Sequence, residues 1–125
     1  MKLKYITCIS DLYYVIGKWF TIIMLILAFI TLPFSLEKVN NVFSFLMCAS
    51  IAFVGCAAHY KDKFNYPVHY IAACISAISS IIFTIHIQPA YLIILLLCFI
   101  SFFDKKRWLL WCEIPFFLMI YLCFI

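Results

Sequence analysis

Long apolar runs separated by short polar stretches are the dominant pattern along the chain. The runs lack the alternation of a barrel strand, and lipid offers no hydrogen-bond partners to an open backbone, so the pattern predicts helices. Crossing a hydrocarbon core of about 30 Å takes roughly 17–25 helical residues. We therefore predict an all-α polytopic transmembrane bundle with about five spans and no soluble domain. The predicted spans cover residues 19–35, 42–58, 68–86, 89–103 and 108–125, after a cytoplasmic or interfacial segment, 1–18.

Composition agrees with this pattern. Hydrophobic residues make up 69% of the 125 positions and charged residues 11%, whereas soluble domains are roughly 45–50% apolar and about 25% charged. Five acids and nine bases cannot cover a protein of this size with a hydrophilic surface. The composition therefore excludes an ordinary soluble domain and indicates an integral membrane protein.

The basic residues predict the orientation. If the chain crosses five times, eight of the nine Lys and Arg residues fall on one side: Lys2, Lys4, Lys18, Lys61, Lys63, Lys105, Lys106 and Arg107. Only Lys38 falls on the other side. The positive-inside rule then predicts an inner (cytoplasmic) membrane protein with a cytoplasmic N-terminus and an extracytoplasmic C-terminus. Since lysines beside spans determine topology and contact lipid, the net charge of +4 predicts no nucleic-acid partner.

Small residues recur in the second and third spans at helical spacing. Such ridges let helices approach closely where lipid is as apolar as leucine. The predicted helix-packing residues are Ala52, Gly55, Cys56, Ala72, Ser76 and Ser80. We therefore predict that these two spans form the central hairpin. The hydroxyls of the third span can bond across helices or back to their own helix, so they do not by themselves indicate a transport path.

Glu113 is an acid inside an apolar run, "WLLWCEIPFF". It lies about 7 Å beyond Trp108 along the helix, at nearly the same level as His59 and His69, with Asp62 close to His59 in the loop. We predict a polar cluster of Glu113, His69, His59 and Asp62. Three roles are open: a structural tie to Lys18 or a histidine, a proton-binding or ligand-binding site, and a metal site with both histidines. The spacing fits no metal motif, so we expect no metal and no cofactor.

Other motifs that carry chemistry are missing from the sequence. It has no C-x-x-C pair, Gly-rich phosphate loop, G-x-S-x-G or H-E-x-x-H. Six of the seven cysteines fall in apolar runs, where they behave as small hydrophobes. Standard enzyme chemistry is therefore unsupported, although the sequence does not decide whether the protein is an enzyme.

The stretch "FVGCAAHYKDKFNYPVHYIAACISAISSIIF", from Phe53 to Phe83, resembles the centre of the DRAM/Sfk family of small polytopic membrane proteins. In that family a Gly-containing span ends in a short polar loop, and the next span opens with a His-Tyr-like pair followed by small residues. The corresponding residues are Gly55, His69, Tyr70, Ala72 and Ala73. The family has six spans where this chain has five, and the resemblance implies no mechanism beyond directing attention to His69.

Two functions from different classes follow from these observations. The first is a small integral membrane protein that acts through intramembrane contacts, as a self-associating or accessory subunit, with pore formation as one form of this role. Its partners would be the bilayer and a second copy or another membrane protein. The alternative is a lipid-binding or lipid-modifying membrane protein that uses the His/Glu cluster on the cytoplasmic side.

Overall fold

The fold is all-α, as the sequence predicts, in a computed structural model that describes residues 7–57 and 66–125. A 3₁₀ turn, Ile9–Leu12, leads into the short helix α1. The α-helices are α1 (Tyr13–Ile16), α2 (Lys18–Lys38), α3 (Val42–Ala57), α4 (Tyr66–Ile87) and α5 (Trp108–Leu122), with 3₁₀ segments at Pro89–Phe102 and Lys105–Arg107. The five long elements begin and end within a few residues of the predicted spans. His59 and Asp62 lie outside the described residues.

The helix boundaries follow from local sequence. Gly17 has φ 61° and ψ −138°, a conformation that residues with a Cβ rarely adopt, and it separates α1 from α2. At the start of α3, the Asn41 side chain accepts a hydrogen bond from the backbone N–H of Ser44 at 3.0 Å, as an N-cap residue does. Pro67 lies in the first turn of α4, where a missing N–H costs nothing.

The segment Pro89–Phe102 is a 3₁₀ helix over 14 residues. Runs longer than 3–4 residues are uncommon in this form. Its rise of about 2.0 Å per residue gives a length of about 28 Å, whereas the same residues in an α-helix would measure about 21 Å. Among the five long elements, the one with the fewest residues is therefore longer in space than α5, which measures about 22 Å, and shorter than α4, which measures about 33 Å.

The long elements alternate in direction. The Thr21 hydroxyl donates to the Gly55 carbonyl at 3.0 Å, and the Ser35 hydroxyl lies 3.4 Å from the Cys48 sulfur. α2 and α3 are therefore antiparallel. His69 and Leu109 line one cavity near the start of α4 and α5. At the other end, Thr84 and Cys123 are in contact, so α4 and α5 run in the same direction. The result is an up-and-down bundle.

The bundle packs around a small core and turns most of its apolar surface outward. The core residues come from four of the helices and from the turn after α5: Phe20, Met24, Ala28, Met47, Cys48, Ile51, Phe83, Ile120 and Cys123. Two helices, Lys18–Lys38 and Pro67–Ile87, are long and apolar enough to cross a membrane, and only 28% of each apolar window is buried inside the protein. These two helices thus expose far more apolar surface than they bury.

Candidate functional site

Residues 7–16, called the N-terminal segment below, precede α2. A cavity of about 560 Å³ opens between this segment, the first half of α4 and the first half of α5. Its wall combines aromatic, small and acidic side chains. The aromatic rings are those of Tyr14, Tyr70, Trp108 and Phe116. Small residues of α4, including Ala73 and Ala77, leave the space open. The volume falls in the range of sites that hold a small molecule or the head of a larger one.

Glu113 lies on this wall and also contacts the N-terminal segment. Its Oε2 accepts a hydrogen bond from the backbone N–H of Ile9 at 2.5 Å. That N–H belongs to the first turn of Ile9–Leu12, where backbone donors have no partner within their own helix. The carboxylate therefore satisfies a helix end and also lies on the cavity wall.

The N-terminal segment is held to α5 by a second bond. The backbone N–H of Leu110, in the first turn of α5, donates to the carbonyl of Thr7 at 3.0 Å. Asp11 organises the segment internally, because its Oδ2 accepts from the backbone N–H and the hydroxyl of Thr7 at 2.9 and 2.7 Å and from the N–H of Cys8 at 3.3 Å. The side chains of Ile9, Leu12 and Tyr13 pack against the core.

His69 lines the same cavity as Glu113. It is half-buried, its Nδ1 is shielded from solvent, and its ring lies edge-on to that of Tyr70 with centroids 6.3 Å apart. The structure thus places two of the four predicted cluster residues on one wall. Among the described residues, no three His, Cys, Asp or Glu side chains are arranged to hold a metal ion.

The pKa of the Cys8 thiol depends on the burial and the charges around it. Burial raises the pKa of its thiol, and the nearby carboxylates of Glu113 and Asp11 raise it further. The contact with the Ser10 hydroxyl, at 3.0 Å, acts in the opposite direction. Cys8 therefore remains a neutral thiol in neutral solution.

A smaller space of about 70 Å³ lies on the inner side of Glu113. Ser76, one of the predicted packing residues, lines it together with Ala73, Ala77 and Met24. Glu113 contributes to both cavities, so it stands between the open cavity and the interior of the bundle.

The remaining predicted packing residues lie on α3 and α4 and differ in what they contact. Gly55 is buried against α2, where a Cβ would lie 2.4 Å from the Cβ of Met24, and Ala52 packs against the core. Ala72 and Ser80 are buried on α4, and Cys56 is half-buried. α3 thus packs closely against α2 at Gly55 and also packs along α4, and the central role of the α3 and α4 hairpin stays a prediction.

Two buried hydroxyls of α4, those of Ser80 and Thr84, donate to carbonyls of their own helix. Ser80 donates to the carbonyl of Ala77 at 2.8 Å, and Thr84 donates to that of Ser80 at 2.8 Å. Cys123 donates in turn to the Thr84 hydroxyl at 3.7 Å. Hydroxyls bonded back to their own helix do not form a polar lining, so this stripe gives no support to a transport path.

No local sequence pattern indicates that the N-terminal segment contacts Glu113. We expected Glu113 to meet a histidine or Lys18, and the bond from Ile9 adds a backbone donor from a segment 104 positions away. The one available signal is Asp11, an acid in the first turn of Ile9–Leu12, since acidic residues favour helix N-termini.

No family model, curated protein or solved structure matches the chain. The resemblance of Phe53 to Phe83 to the DRAM/Sfk family therefore stays a prediction, and the function is argued from the geometry alone.

Proposed function

We propose that the protein is a five-span membrane protein that binds the polar head of an amphiphile in the cavity beside Glu113 and His69. The observation that carries this proposal is the joint position of an acid, a histidine and aromatic rings on a cavity of about 560 Å³. It develops the lipid-binding alternative inferred from the sequence. A catalytic step is not part of the proposal.

The five-span topology is supported by geometry as well as charge. Alternating helix directions bring Lys18, Lys105, Lys106 and Arg107 to the same end of the bundle and Lys38 to the other. The 3₁₀ segment of about 28 Å nearly matches a hydrocarbon core of about 30 Å. The cytoplasmic assignment of the basic end follows from the positive-inside rule.

The depth of the cavity suits an amphiphile. Glu113 lies about 7 Å beyond Trp108, and Trp108 follows the basic residues directly. Trp19, Tyr14 and Trp108 are 67%, 68% and 52% exposed at this end of the bundle. Exposed Trp and Tyr side chains are typical of the membrane interface. The cavity would therefore open at the level of lipid head groups, with its apolar rim toward the acyl chains.

Topology is tested with reporters. A reporter fused after Ile125 is expected to be extracytoplasmic, and one inserted between Asp104 and Trp108 to be cytoplasmic. Finding both on one side of the membrane would contradict the five-span topology.

Ligand binding is tested by photolabelling the full chain in lipid nanodiscs. The probes are three diazirine-bearing amphiphiles of one chain length that end in an amine, an alcohol or a carboxylate. At least one is expected to label peptides of α4 and α5 that line the cavity. Ala73→Leu narrows the cavity and should reduce that labelling, whereas Ala90→Leu, at an exposed site outside it, should not. Equal labelling of both variants would overturn the proposal.

Self-association, the first function inferred from the sequence, stays a prediction. The observation that favours it is a second groove of about 270 Å³ between α3 and α4, whose wall is almost wholly apolar and includes Ala49, Phe53, Ile71 and Ile75. A helix of a second copy would fit an apolar groove of this kind. Cross-linking from Phe53→Cys in native membranes tests it, and a monomer at all protein densities would contradict it.

A further inference from the structure

Two cysteines meet where the 3₁₀ segment Pro89–Phe102 packs against α5. Cys98 lies on the 3₁₀ segment and Cys112 on α5, 14 positions further along the chain. The sulfur of Cys98 lies 4.0 Å from the carbonyl oxygen of Cys112, and the two thiol groups are close enough to interact with each other. Both thiols are free and half-buried. The structure thus places two reduced cysteines next to each other across a helix interface.

The 3₁₀ form keeps Cys98 on the inner face of its segment. This helix has 3.0 residues per turn, so every third side chain points in the same direction. The residues that share a face with Cys98 are all half-buried: Leu92, Leu95 and Ser101. The neighbouring row of side chains is exposed: Ile93, Leu96, Phe99 and Phe102. Because the segment packs mainly against α5, its half-buried face holds Cys98 toward that helix.

Cys112 is the cysteine of this pair that an incoming molecule meets first. It lines the cavity of about 560 Å³, whereas Cys98 is not part of the cavity lining. Both cysteines belong to predicted spans, and apolar molecules leave water for such surroundings. Redox-sensitive pairs combine an accessible cysteine with a second cysteine beside it that completes the disulfide. The pair is therefore placed to react with an apolar oxidant.

We propose that Cys98 and Cys112 form a reversible disulfide when an organic hydroperoxide enters the bilayer. In the first step, the Cys112 sulfur bonds to the terminal oxygen of the hydroperoxide, the O–O bond breaks, and the thiol proton moves to the oxygen that leaves as an alcohol. In the second step, the Cys98 sulfur displaces the oxygen from Cys112, the S–S bond forms, and water leaves with the proton of the Cys98 thiol. The thiol pair loses two electrons and the hydroperoxide gains two.

The disulfide would join the 3₁₀ segment covalently to α5 and close a loop that contains the basic turn Lys105–Arg107. A reductant that supplies two electrons and two protons restores both thiols. This inference is independent of ligand binding in the cavity, because it needs only the two neighbouring thiols and an oxidant that dissolves in the bilayer.

Proteolysis of the full chain in lipid nanodiscs tests the inference. Cumene hydroperoxide is the oxidant, and the remaining thiols are blocked with N-ethylmaleimide before digestion. Trypsin cuts at Lys105–Arg107, between the two cysteines, so the flanking fragments separate on a non-reducing gel unless a disulfide joins them. They are expected to stay joined after oxidation and to separate when dithiothreitol is added. Fragments that separate after oxidation would overturn the inference.

Four serine variants identify the pair, because Cys74 and Cys123 lie on the same two fragments. Cys98→Ser and Cys112→Ser are expected to abolish the joined product, whereas Cys74→Ser and Cys123→Ser should leave it unchanged. Cys74→Ser is the sharpest control, because Cys74 lines the same cavity as Cys112. Mass spectrometry of the parent chain identifies the linked peptides directly, so the assignment does not depend on the folding of any variant. A joined product in Cys98→Ser, or a bond from Cys112 to Cys74 in the parent chain, would overturn the inference.

Discussion

α3 and α4 both contain rows of small residues, but the row on α3 allows close packing whereas the row on α4 lines a cavity. On α3, Gly55 lets the backbone of α2 come so close that a single methyl group would overlap Met24. On α4, Ala73 and Ala77 face a cavity of about 560 Å³. Gly55 belongs to one row of small residues at helical spacing and Ala73 and Ala77 to another, and the two rows look alike in sequence.

The two rows of small residues differ in the side chains that the neighbouring helix places opposite them. α2 presents Phe20, Met24 and Ala28, apolar side chains that can fill the space down to contact. α5 presents Glu113 at the corresponding place, and Glu113 is occupied with the N-terminal segment. A carboxylate cannot pack closely against a row of methyl groups, because burying its charge there would carry a large desolvation cost. A ridge of small residues thus permits close approach and does not enforce it.

The largest effect is expected from Gly55→Ala. The added Cβ would lie 2.4 Å from the Cβ of Met24, which is attached directly to the backbone and is not the far end of a flexible side chain, so α2 and α3 must separate. Overpacking of this kind costs about 1–3 kcal/mol. Denaturation in mixed micelles measures the loss. A Gly55→Ala variant as stable as the parent would show that this contact is looser than described.

Glu113→Leu should release the N-terminal segment. It leaves the Ile9 N–H without its acceptor, and an orphaned backbone donor costs about 1–3 kcal/mol when buried. Hydrogen exchange at the Ile9 amide is expected to accelerate, whereas Glu113→Gln, which retains an acceptor, should leave it slow. Equal exchange in both variants would mean that other contacts, such as the bond from Leu110 to Thr7, hold the segment.

The same substitution at two sites compares the regions directly. Ala52→Leu adds volume beside the core and is expected to cost about 1–3 kcal/mol. Ala73→Leu adds it to open space and is expected to change the free energy of unfolding by less than about 0.5 kcal/mol, as surface substitutions usually do. Unfolding of both variants in one detergent measures the difference. Similar costs would indicate that the cavity closes in the membrane.

The sequence predicted the positions of the helices because apolar length and flanking turns are local properties. The long elements lie within a few residues of the predicted spans. The 3₁₀ form of Pro89–Phe102 was not predicted, since side-chain pattern alone hardly distinguishes a rise of about 2.0 Å per residue from one of about 1.5 Å.

The candidate site was predicted in part. An acid in an apolar run and a histidine at a span boundary are visible in sequence, and both line the cavity. The bond between Ile9 and Glu113 joins residues 104 positions apart, so it depends on the complete packing of the bundle and on no local pattern. The partner of each small-residue ridge depends on that packing as well.

The smallest expected effect is at Cys8. Burial is the largest cause that raises the pKa of its thiol, and the charge of Glu113 is a further one. Glu113→Gln removes that charge, so Cys8 should ionise at a lower pH than in the parent chain. Because the thiolate is the reactive form, alkylation of Cys8 by a maleimide should become faster at a given pH. Peptide mapping by mass spectrometry separates Cys8 from Cys56, which does not line the cavity and should react at an unchanged rate.

The raised pKa of the Cys8 thiol also determines how the stability of the fold changes with pH. A thiol whose pKa is raised by folding keeps its proton in a pH range where the unfolded chain has lost it, so it stabilises the fold below the unfolded pKa and that contribution is lost as pH rises through the folded pKa. The parent chain should therefore lose stability above about pH 8.5, the ordinary range of a cysteine thiol, and Cys8→Ala should lose less. Glu113→Gln should fall between them, because it removes one cause of the shift and leaves burial in place. A parent chain and a Cys8→Ala variant that lose stability equally with pH would show that Cys8 ionises no differently in the folded and unfolded states.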